Sequence, residues 1–554
     1  MNRKIRNRSV LAVLLVVALT FGVAYFAFGD YYRDISTQLK MFNELYKKLV
    51  VNYVDQVNPE ALIEAGINGM LQELDPYTVY LEREDRHGIQ TLTEGEYGGV
   101  GIRLDIRNDT LTVIAPMEGG PAARAGVKSG DRIIQIDTLN TIEMRISRAA
   151  SIMRGRPGSV VTITVIRPGI EDRIPFALER ENIVIHDLAY ADLVADGIAY
   201  LKITSFSKNS ADELSTAIEE IGEANIQALV LDLRDNPGGL LSTALKVADL
   251  FIEDGTEILS TKGRTEKVNK VFHAKTGPII SSEIPMAVLV NNGSASASEI
   301  VAGILQDLDR AIIIGRETFG KGLVQSVLPI SRDASIKITT AKYYIPSGRL
   351  IQKEDYFNHE VIETDLERDS VYYTHNKRRV YGGGGITPDI VTEKDTMPEP
   401  VQLMWAKNHF FQYAVEYRNR HSERNWPFEI TAEIQEEFIN FLDHRGFTYK
   451  TKSAQLFDKF LASVDSASFT QNGLTDARSE IARYLEEQNH WKQHADTQYW
   501  IRRSLGQEMA NVYGGNKARI EANISHDETI QKALEILQND TTYFEQLGFV
   551  DTAP

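Results

Sequence analysis

The sequence predicts a multidomain α/β protein in which a small, mostly β domain precedes an α/β core and helical segments stand at both ends. At 554 residues the chain is too long for one ordinary domain. Short β-branched runs separated by glycines fill residues 96–180. Near-continuous apolar runs, typical of strands buried on both faces, alternate with helical patterns over residues 181–395. Residues 30–95 and 396–554 show helical periodicity.

The composition excludes several classes of protein. The hydrophobic fraction of 43% and the charged fraction of 25% are ordinary for globular proteins. A net charge of −17 leaves no basic surplus to neutralise phosphates, so no nucleic-acid partner is predicted. The chain has no cysteine, which excludes disulfides, thiolate metal sites and a cysteine nucleophile. No metal or other cofactor is predicted.

The first residues predict export from the cytoplasm. Residues 1–8 carry four basic side chains and no acid, and residues 9–29 carry no charge. This apolar run is long enough to cross a bilayer as one helix, with the N-terminus inside and the rest of the chain outside. We expect an inner-membrane anchor. The alternative is a cleaved signal peptide, whose apolar region is usually shorter. In both cases the body of the protein would lie in the periplasm.

The N-terminal region, residues 30–95, is predicted to be helical and to pack through apolar stripes. Apolar residues recur at helical spacing from Ile35 to Leu49. A second helix is predicted to begin at Asn58, which can cap it, with Pro59 at the first helical position.

Two glycine-containing patterns mark the small β domain. The loop 97-YGGVGIRL-104 is followed by a strand and then by 119-GGPAARAGVKSGDRIIQID-137. Taken alone, the glycines of the loop could serve only a tight turn. The two patterns in this order, however, resemble a PDZ domain. The resemblance implies that the loop's backbone N–H groups hold the terminal carboxylate of a peptide, which adds to the domain as an extra strand. The loop residues concerned are Gly98, Gly99, Val100, Gly101 and Ile102.

Three loops of the α/β core follow apolar, strand-like runs and carry small residues. Functional sites of α/β folds usually gather at such strand ends. The loops are 234-RDNPGGLL-241, 291-NNGSASASEI-300 and 315-GRETFGKG-322.

The serines of 293-GSASASE-299 are candidates for a nucleophile. They crowd a turn that runs directly into an apolar helix, where free backbone N–H groups and the helix dipole favour an oxyanion. Serine is also a good helix cap, and taken alone the pattern favours capping.

A serine nucleophile needs a base. The histidines do not point to one, because His186 follows a strand-like run and His273 sits in a charged segment. A Ser-His-Asp triad therefore remains an alternative that no residue pattern supports. The other candidate is Lys321, which could accept a proton if its pKa fell from about 10.4 towards neutrality.

Burial among apolar groups could lower the pKa of Lys321 in this way. We expect Phe319, Leu323 and Val324 to provide that burial. Glu317 lies close in the sequence and would oppose the fall if it paired with the lysine.

The same loop matches the opening of a phosphate-binding loop, G-x-x-x-x-G-K. Such a loop needs Ser or Thr after its lysine to ligate Mg²⁺ and then opens a helix. Here Gly322 follows the lysine, and 323-LVQSVLPI-330 reads as a strand. The sequence therefore predicts no nucleotide.

Taken together, the motifs identify a family. The chain resembles the C-terminal processing (tail-specific) peptidases, S41-family serine proteases with a Ser–Lys dyad, over roughly residues 35–395. The resemblance implies a crotonase- or ClpP-like α/β core behind the PDZ domain. The motifs that carry it after the PDZ pattern are 234-RDNPGG-239, 293-GSASASEIVAGILQD-307, 318-TFGKGLVQ-325 and 385-GITPDI-390.

The resemblance also implies roles for particular residues. Ser296 is the expected nucleophile, Lys321 its general base and Gln325 the residue that helps position the lysine. The backbone N–H of Ala297 would form the oxyanion hole with a glycine, either Gly238 or Gly239. The neighbouring serines, Ser294 and Ser298, are then caps or packing residues.

The function implied is that of an exported serine endopeptidase that binds unstructured or apolar C-terminal tails through its PDZ domain and cleaves them through an acyl-enzyme. In the family the PDZ domain can also gate the active site. The alternative is a non-catalytic PDZ scaffold on a degenerate protease fold, against which the intact dyad counts. Partners other than tails would be the membrane, through residues 9–29, and a further copy or a regulatory protein. Residues 396–554 form a longer extension than many members carry and hold no recognisable motif.

Overall fold

The computed structural model describes most of the chain after the predicted anchor. The described residues are 33–82, 88, 93–332, 334–356, 360–361, 371–463, 475–488 and 490–548. The predicted anchor or signal peptide at residues 9–29 lies outside them. Among the residues that are described, no helix is both long and apolar enough to cross a bilayer. The described residues divide into two units, one made of 33–82, 326–332 and 334–339 and the other of the remainder.

Helices predominate at both ends of the chain. In order they are α1 (33–52), α2 (Pro59–Gln72), α3 (Pro121–Arg124), α4 (Ile146–Met153), α5 (Ser210–Ile221), α6 (Leu241–Asp249), α7 (Ala297–Asp307), α8 (Glu399–Ala406), α9 (His409–Arg420), α10 (Ala432–His444), α11 (Lys452–Ser463), α12 (Thr475–Gln488), α13 (Ala495–Ile524), α14 (Glu528–Leu537) and α15 (Asp540–Gln546). Short 3₁₀ helices cover Glu223–Asn225, Glu266–Val268 and Trp491–Gln493.

Strands fill the middle of the chain. They are β1 (Val79–Glu82), β2 (Glu96–Gly99), β3 (Ile102–Arg107), β4 (Thr110–Pro116), β5 (Arg132–Ile136), β6 (Leu139–Asn140), β7 (Val160–Ile166), β8 (Arg173–Glu179), β9 (Glu181–Val184), β10 (Leu188–Ala195), β11 (Ile198–Ile203), β12 (Ala228–Asp232), β13 (Glu257–Lys262), β14 (Lys270–His273), β15 (Met286–Val290), β16 (Ile312–Gly315), β17 (Leu323–Pro329), β18 (Ala334–Tyr344), β19 (Glu354–Asp355), β20 (Glu360–Val361), β21 (Val371–Tyr373), β22 (Arg379–Tyr381) and β23 (Ile390–Val391).

The N-terminal helices follow the predicted capping, but the region is not helical throughout. The Asn58 side chain accepts hydrogen bonds from the N–H groups of Glu60 and Ala61 at 2.9 and 3.4 Å, so the predicted cap of α2 is confirmed. The prediction of helix as far as residue 95 is wrong at β1, which pairs antiparallel with residues 334–337. The run V-Y-L is rich in strand-favouring residues, and its partner lies far along the chain where local periodicity cannot show it.

The small β domain is built on a sheet with the strand order β3-β4-β5-β7-β8, with β6 on β5, while β2 pairs with β9. Its core includes Val113, Ile133, Ile163 and Leu178, all buried. In the described part of the chain β3 is an edge strand of this sheet. Its outer edge therefore carries unpaired backbone groups that an extended peptide could use.

The α/β core is centred on a six-stranded sheet with the order β10-β11-β12-β15-β16-β23. The strands from β11 onwards are parallel, and β10 is antiparallel to β11. On one face Leu231 and Val288 pack in a core that includes residues of α5, α6 and α7. Tyr200, Val230 and Leu289 belong to the other face, which is covered by α14 and α15.

A largely parallel sheet needs cover on both faces. The C-terminal extension provides one of these layers and is therefore part of the α/β core.

The rest of the extension forms a second helical core. Helices α8, α9 and α10 pack with the first part of α13 around residues such as Phe410, Phe438 and Ile501. Helix α13 bends at Gly515, where φ is 75° and ψ is −163°. Beyond the bend, Ile524 joins the core on the second face of the sheet.

Before the bend, α13 touches the small β domain. The Arg103 guanidinium donates to the Asn511 side-chain oxygen at 3.3 Å. One bent helix thus contacts both the PDZ-like domain and the α/β sheet. The predicted class, a multidomain α/β protein with helical ends, is confirmed.

Candidate active site

Ser296 occupies a strained turn between a strand and a helix. Strand β15 ends at Val290, and α7 begins at Ala297, directly after the serine. The backbone of Ser296 has φ 54° and ψ −110°. A non-glycine residue at positive φ costs on the order of 1–3 kcal/mol, and such residues cluster at active sites. A serine on a strained strand-to-helix turn has its hydroxyl presented at the carboxyl end of the sheet.

The two neighbouring serines are committed to packing. The Ser294 hydroxyl donates to the Leu233 carbonyl at 2.8 Å and accepts from the Asn291 N–H at 3.0 Å. The Ser298 hydroxyl donates to the Asn236 carbonyl at 2.8 Å. Both serines are fully buried, whereas Ser296 is partly exposed. Of the three, Ser296 is the one whose side chain a substrate could reach.

A buried carboxylate links the main chains of Ser296 and Lys321. Glu299 Oε2 accepts the N–H of Ser296 at 2.8 Å and the N–H of Lys321 at 2.9 Å. Its Oε1 accepts the Gly320 N–H at 2.7 Å and the Thr318 hydroxyl at 2.6 Å. The nitrogens of Ser296 and Lys321 therefore share one acceptor atom.

Sequence reasoning did not single out Glu299. The S-x-x-E spacing at the start of α7 is the signal that could have found it.

The surroundings of Glu299 act on its charge in two directions. Burial raises the pKa of this carboxyl above its ordinary value, and its four hydrogen-bond donors limit that rise by favouring the ionised form. The carboxylate oxygens are the acceptors in all four hydrogen bonds. The geometry thus suits an anion that holds the two loops together.

A buried tyrosine makes a second link between the same two residues. The Tyr343 hydroxyl donates to the Lys321 carbonyl at 2.6 Å and lies 3.3 Å from the Ser296 carbonyl oxygen. Burial and the Glu299 charge raise the pKa of Tyr343 well above its ordinary value, so the hydroxyl stays protonated at neutral pH. No residue pattern indicates this contact, because Tyr343 lies within the long strand β18.

The surroundings of Lys321 differ in part from those expected. Leu323 is buried and Val324 partly buried, as predicted. The prediction for Phe319 is wrong, because 48% of that residue is exposed. The loop reverses at Gly320, whose φ is 89°, and the phenyl ring is left towards solvent. Lys321 itself is partly buried.

The other two residues discussed near the lysine are also placed. The Glu317 carboxylate lies 3.6 Å from Lys353 Nζ, in an ion pair whose side chains are both half exposed. Gln325 lies in β17, four positions after Lys321, and is partly buried.

The two glycines proposed for the oxyanion hole are not equivalent. The Gly238 N–H already donates to the Asn236 side-chain oxygen at 2.9 Å. Among the hydrogen bonds of the described residues, none uses the N–H of Gly239 or of Ala297. A Cβ on Gly238 would lie 2.6 Å from the Ala295 carbonyl oxygen, so this loop packs directly on the nucleophile turn. The geometry favours Gly239 with Ala297 as the pair of donors.

The histidine alternative gains no support. His186 Nδ1 lies 3.1 Å from Glu213 Oε1, and its side chain is 71% exposed. His273 is exposed in β14. Within the described part of the chain neither is hydrogen-bonded to Ser296. The nucleotide alternative fits no better, because the residues after Gly315 lead into β17 and not into a helix.

The PDZ-like groove is a cavity of about 780 Å³. Val100, Gly101 and Ile102 line it, whereas Gly98 and Gly99 lie in β2 and pair with β9. Its other walls are contributed by α4, by the start of β10 and by the bend of α13. The lining residues from these elements include Ala150, Met153, Leu188, Gly514, Gly515 and Lys517.

Four family models match parts of this chain. The model of Peptidase family S41 matches residues 197–367, and a PDZ domain model matches residues 112–167. The model named Probable PDZ-protease, C-terminal helical domain, matches residues 401–537. The model named Activating protease CtpB N-terminal domain matches residues 29–85.

Named relatives extend over much of the chain. A carboxy-terminal-processing protease of Bartonella bacilliformis is 38% identical over 366 residues, which cover 65% of this chain and 76% of the relative. A carboxyl-terminal-processing protease of Synechocystis is 36% identical over 310 residues, or 54% and 71% of the two chains. A solved photosystem II D1 C-terminal processing protease is 24% identical, with 64% and 93% of the two chains covered and a TM-score of 0.33.

The chain belongs to the carboxy-terminal-processing proteases, serine peptidases of family S41 that carry a PDZ domain.

Proposed function

We propose that this peptidase is an exported Ser–Lys endopeptidase that recognises the C-terminal tails of protein substrates through its PDZ domain. The observation that carries the dyad is the double link between Ser296 and Lys321. Glu299 binds the N–H groups of both residues, and Tyr343 lies against both carbonyls. Two buried groups thereby fix the main chain of the nucleophile relative to that of the base.

In the proposed mechanism Lys321 accepts a proton and then returns it in each half-reaction. Neutral Lys321 takes the proton of the Ser296 hydroxyl, and the oxygen attacks the peptide carbonyl. The N–H groups of Ala297 and Gly239 stabilise the tetrahedral oxyanion. Protonated Lys321 then gives its proton to the leaving amine. Water, deprotonated by the lysine, attacks the acyl carbon, and the lysine returns that proton to the Ser296 oxygen as the bond between acyl group and serine breaks. Gln325 is proposed to orient the lysine.

The groove of the PDZ domain suits an apolar tail. A peptide could add to the free edge of β3, with its carboxylate at the N–H groups of the loop around Gly101. Ile102, Leu104 and Met153 give the groove an apolar lining for the last side chain. Amidation of the substrate's terminal carboxylate should raise KM and leave kcat unchanged. An unchanged KM would contradict recognition of the tail.

Two further proposals concern location and assembly. Residues 9–29 would anchor the protein in the inner membrane of a bacterium, with the catalytic part outside the cytoplasm. The named relatives are bacterial. Recovery of the full chain in the soluble fraction would contradict an anchor.

A homo-oligomer would bury the apolar side chains that α1 exposes. Leu39, Met41 and Leu45 are 58%, 62% and 56% exposed. A monomeric mass in solution would contradict this assembly.

The dyad is tested by cleavage of an unstructured protein with an apolar tail, with no nucleotide added. We expect Ser296→Ala and Lys321→Ala each to lower kcat by about a thousandfold or more, because each removes a group needed in every turnover. Lys353→Ala, which removes the neighbouring half-exposed lysine, should keep the wild-type rate. Unchanged cleavage in either dyad variant would sink the mechanism. A wild type that cleaves none of several tails would favour the scaffold alternative.

A further inference from the structure

The C-terminal extension reaches the loop that carries Gly239 through one arginine. Arg234 stands at the start of that loop, two residues after the end of β12. Its Nη1 donates to both carboxylate oxygens of Asp527, at 2.9 and 3.0 Å. The Arg234 and Asp527 side chains are 14% and 15% exposed, so the pair is largely shielded from water.

The other edge of the same guanidinium binds the core sheet. Nε and Nη2 of Arg234 donate to Asp232 at distances from 2.7 to 3.1 Å. Asp232 is fully buried and also accepts from the Tyr200 hydroxyl at 2.6 Å and from Lys202 Nζ at 3.0 Å. Arg234 is therefore held between two carboxylates, one from the sheet and one from the extension.

Asp527 is itself held in place by its helix. It caps the N-terminus of α14, and its side chain accepts from the N–H groups of Thr529 and Ile530, each at 3.1 Å. The buried face of α14, including Ile530 and Leu534, packs in the second-face core of the sheet. The packed helix thus fixes the position of the Asp527 carboxylate.

The segment after Arg234 has little freedom of its own. Asp235 adopts a φ of 60°, and its N–H donates to the Asn291 side chain at 3.0 Å. At its far end Gly239 forms a β-bridge with Phe206. A change in the position of Arg234 must therefore be taken up between these two points, where the loop packs on the Ser296 turn.

We propose that Asp527 is a positioning residue for catalysis. By holding Arg234 from the C-terminal extension, it fixes the loop that presents the Gly239 N–H to the oxyanion. The inference rests on the proposed Ser–Lys mechanism and gives residues 396–554 a part in it.

The test replaces one charge and keeps the helix cap. Asp527→Asn preserves the shape of the side chain, and Asn caps helices as well as Asp does. We expect kcat to fall by about tenfold, less than the 10²–10³-fold lost when an oxyanion donor is deleted. KM and the unfolding temperature should stay close to wild type. A merely structural role would lower the unfolding temperature without this separation of kcat from KM.

A second readout follows the oxyanion itself. The Ser296 oxygen adds to the carbonyl carbon of a peptide aldehyde. The aldehyde oxygen then becomes the oxyanion of a tetrahedral adduct in the same hole. Its inhibition constant should rise by the same factor as kcat falls in Asp527→Asn. The affinity of a tail peptide for the PDZ groove should not change.

The matched control lies in the same interface between extension and sheet. Asp192 pairs with Lys517 of α13 at 3.4 Å, and both side chains are more than half exposed. Asp192→Asn should leave kcat unchanged. Asp527→Glu, which restores the charge, should recover part of the rate and serves as the second variant if the amide fails to fold.

The outcomes separate this inference from the proposed function. Two results would overturn this inference and leave the Ser–Lys proposal standing. In the first, the wild type is active and Asp527→Asn has the same kcat. In the second, Asp527→Asn and Asp527→Glu lose the same fraction of kcat. A wild type that shows no peptidase activity would overturn the Ser–Lys proposal, and this inference with it.

Discussion

Ser296, Ser294 and Ser298 share one short motif, and their surroundings distinguish them. The hydroxyls of Ser294 and Ser298 each donate to a buried carbonyl, that of Leu233 and that of Asn236. Ser296 instead takes up a strained backbone conformation that leaves it partly exposed. The hydrogen bond from its N–H to Glu299, which also accepts the N–H of Lys321, helps to offset this strain. The exposure of this serine is thus a property of the fold around it.

The tyrosine link is testable by removal of a single oxygen. Tyr343→Phe keeps the ring in its buried site and removes the hydroxyl that bonds to the Lys321 carbonyl. A hydrogen bond of this kind contributes about 1 kcal/mol, so we expect kcat to fall about fivefold. KM should change little, because the PDZ groove is untouched.

Steady-state kinetics on a tailed substrate would measure this effect. Tyr344→Phe, at the next position of the same strand, is the control and should behave as wild type. Loss of affinity for the substrate with no change in kcat would contradict a role for Tyr343 in fixing the dyad.

Among the elements of the core, Asp232 of β12 joins β11 to the loop that begins at Arg234. Burial pushes its pKa upward, but the charges of Arg234 and Lys202, with hydrogen bonds from Arg234 and Tyr200, outweigh burial and hold the pKa well below its ordinary value. A carboxyl with a lowered folded-state pKa contributes stability above its unfolded pKa of about 3.9. That contribution is lost as the pH falls towards the folded-state value.

The stability of Asp232→Asn should therefore depend on pH. At pH 7 we expect the variant to be less stable than wild type by about 3 kcal/mol, because two cations are left beside a neutral amide. At pH 3 the difference should shrink. Urea unfolding followed by circular dichroism measures both. Asp254→Asn, at an exposed position, should match wild type at each pH. A difference that stays constant with pH would contradict the assignment.

On the scale of the whole molecule, the C-terminal extension is a structural layer of the peptidase. Helices α14 and α15 cover the face of the sheet that includes Tyr200, Val230 and Leu289. A chain that ends at residue 395 would expose this apolar face to water, so we expect it to aggregate or to unfold without cooperativity. A chain that ends at Gly548 keeps both helices and should stay active. Solubility and thermal unfolding distinguish the two, and a soluble, active truncation at residue 395 would contradict this role.

Much of the site could be predicted from the sequence, because its motifs are local. Ser296 and Lys321 stand in short segments with characteristic residue types, and the strands that carry them are continuous apolar runs. The contribution of Tyr343 could not be predicted, since it depends on how a distant strand lies against two loops. The same holds for Asp527, which is one of many acids that begin a helix. Contacts between segments far apart in the chain leave no pattern in either one.

The surfaces that the C-terminal helices cover could not be predicted for a related reason. The helical periodicity of residues 396–554 indicates an apolar face on each helix but not the surface that the face covers. The structure assigns α14 and α15 to the protease sheet and α9 to a separate helical core.

The most direct test of the Ser–Lys assignment is detection of the acyl-enzyme. A tailed substrate is mixed with the wild type, quenched in acid during the first turnover, and the protein is mapped by mass spectrometry. We expect an acyl group on Ser296, none on Ser294 or Ser298, and no adduct in Lys321→Ala. An adduct on another residue, or an equal burst of acylation in the lysine variant, would contradict the Ser–Lys assignment.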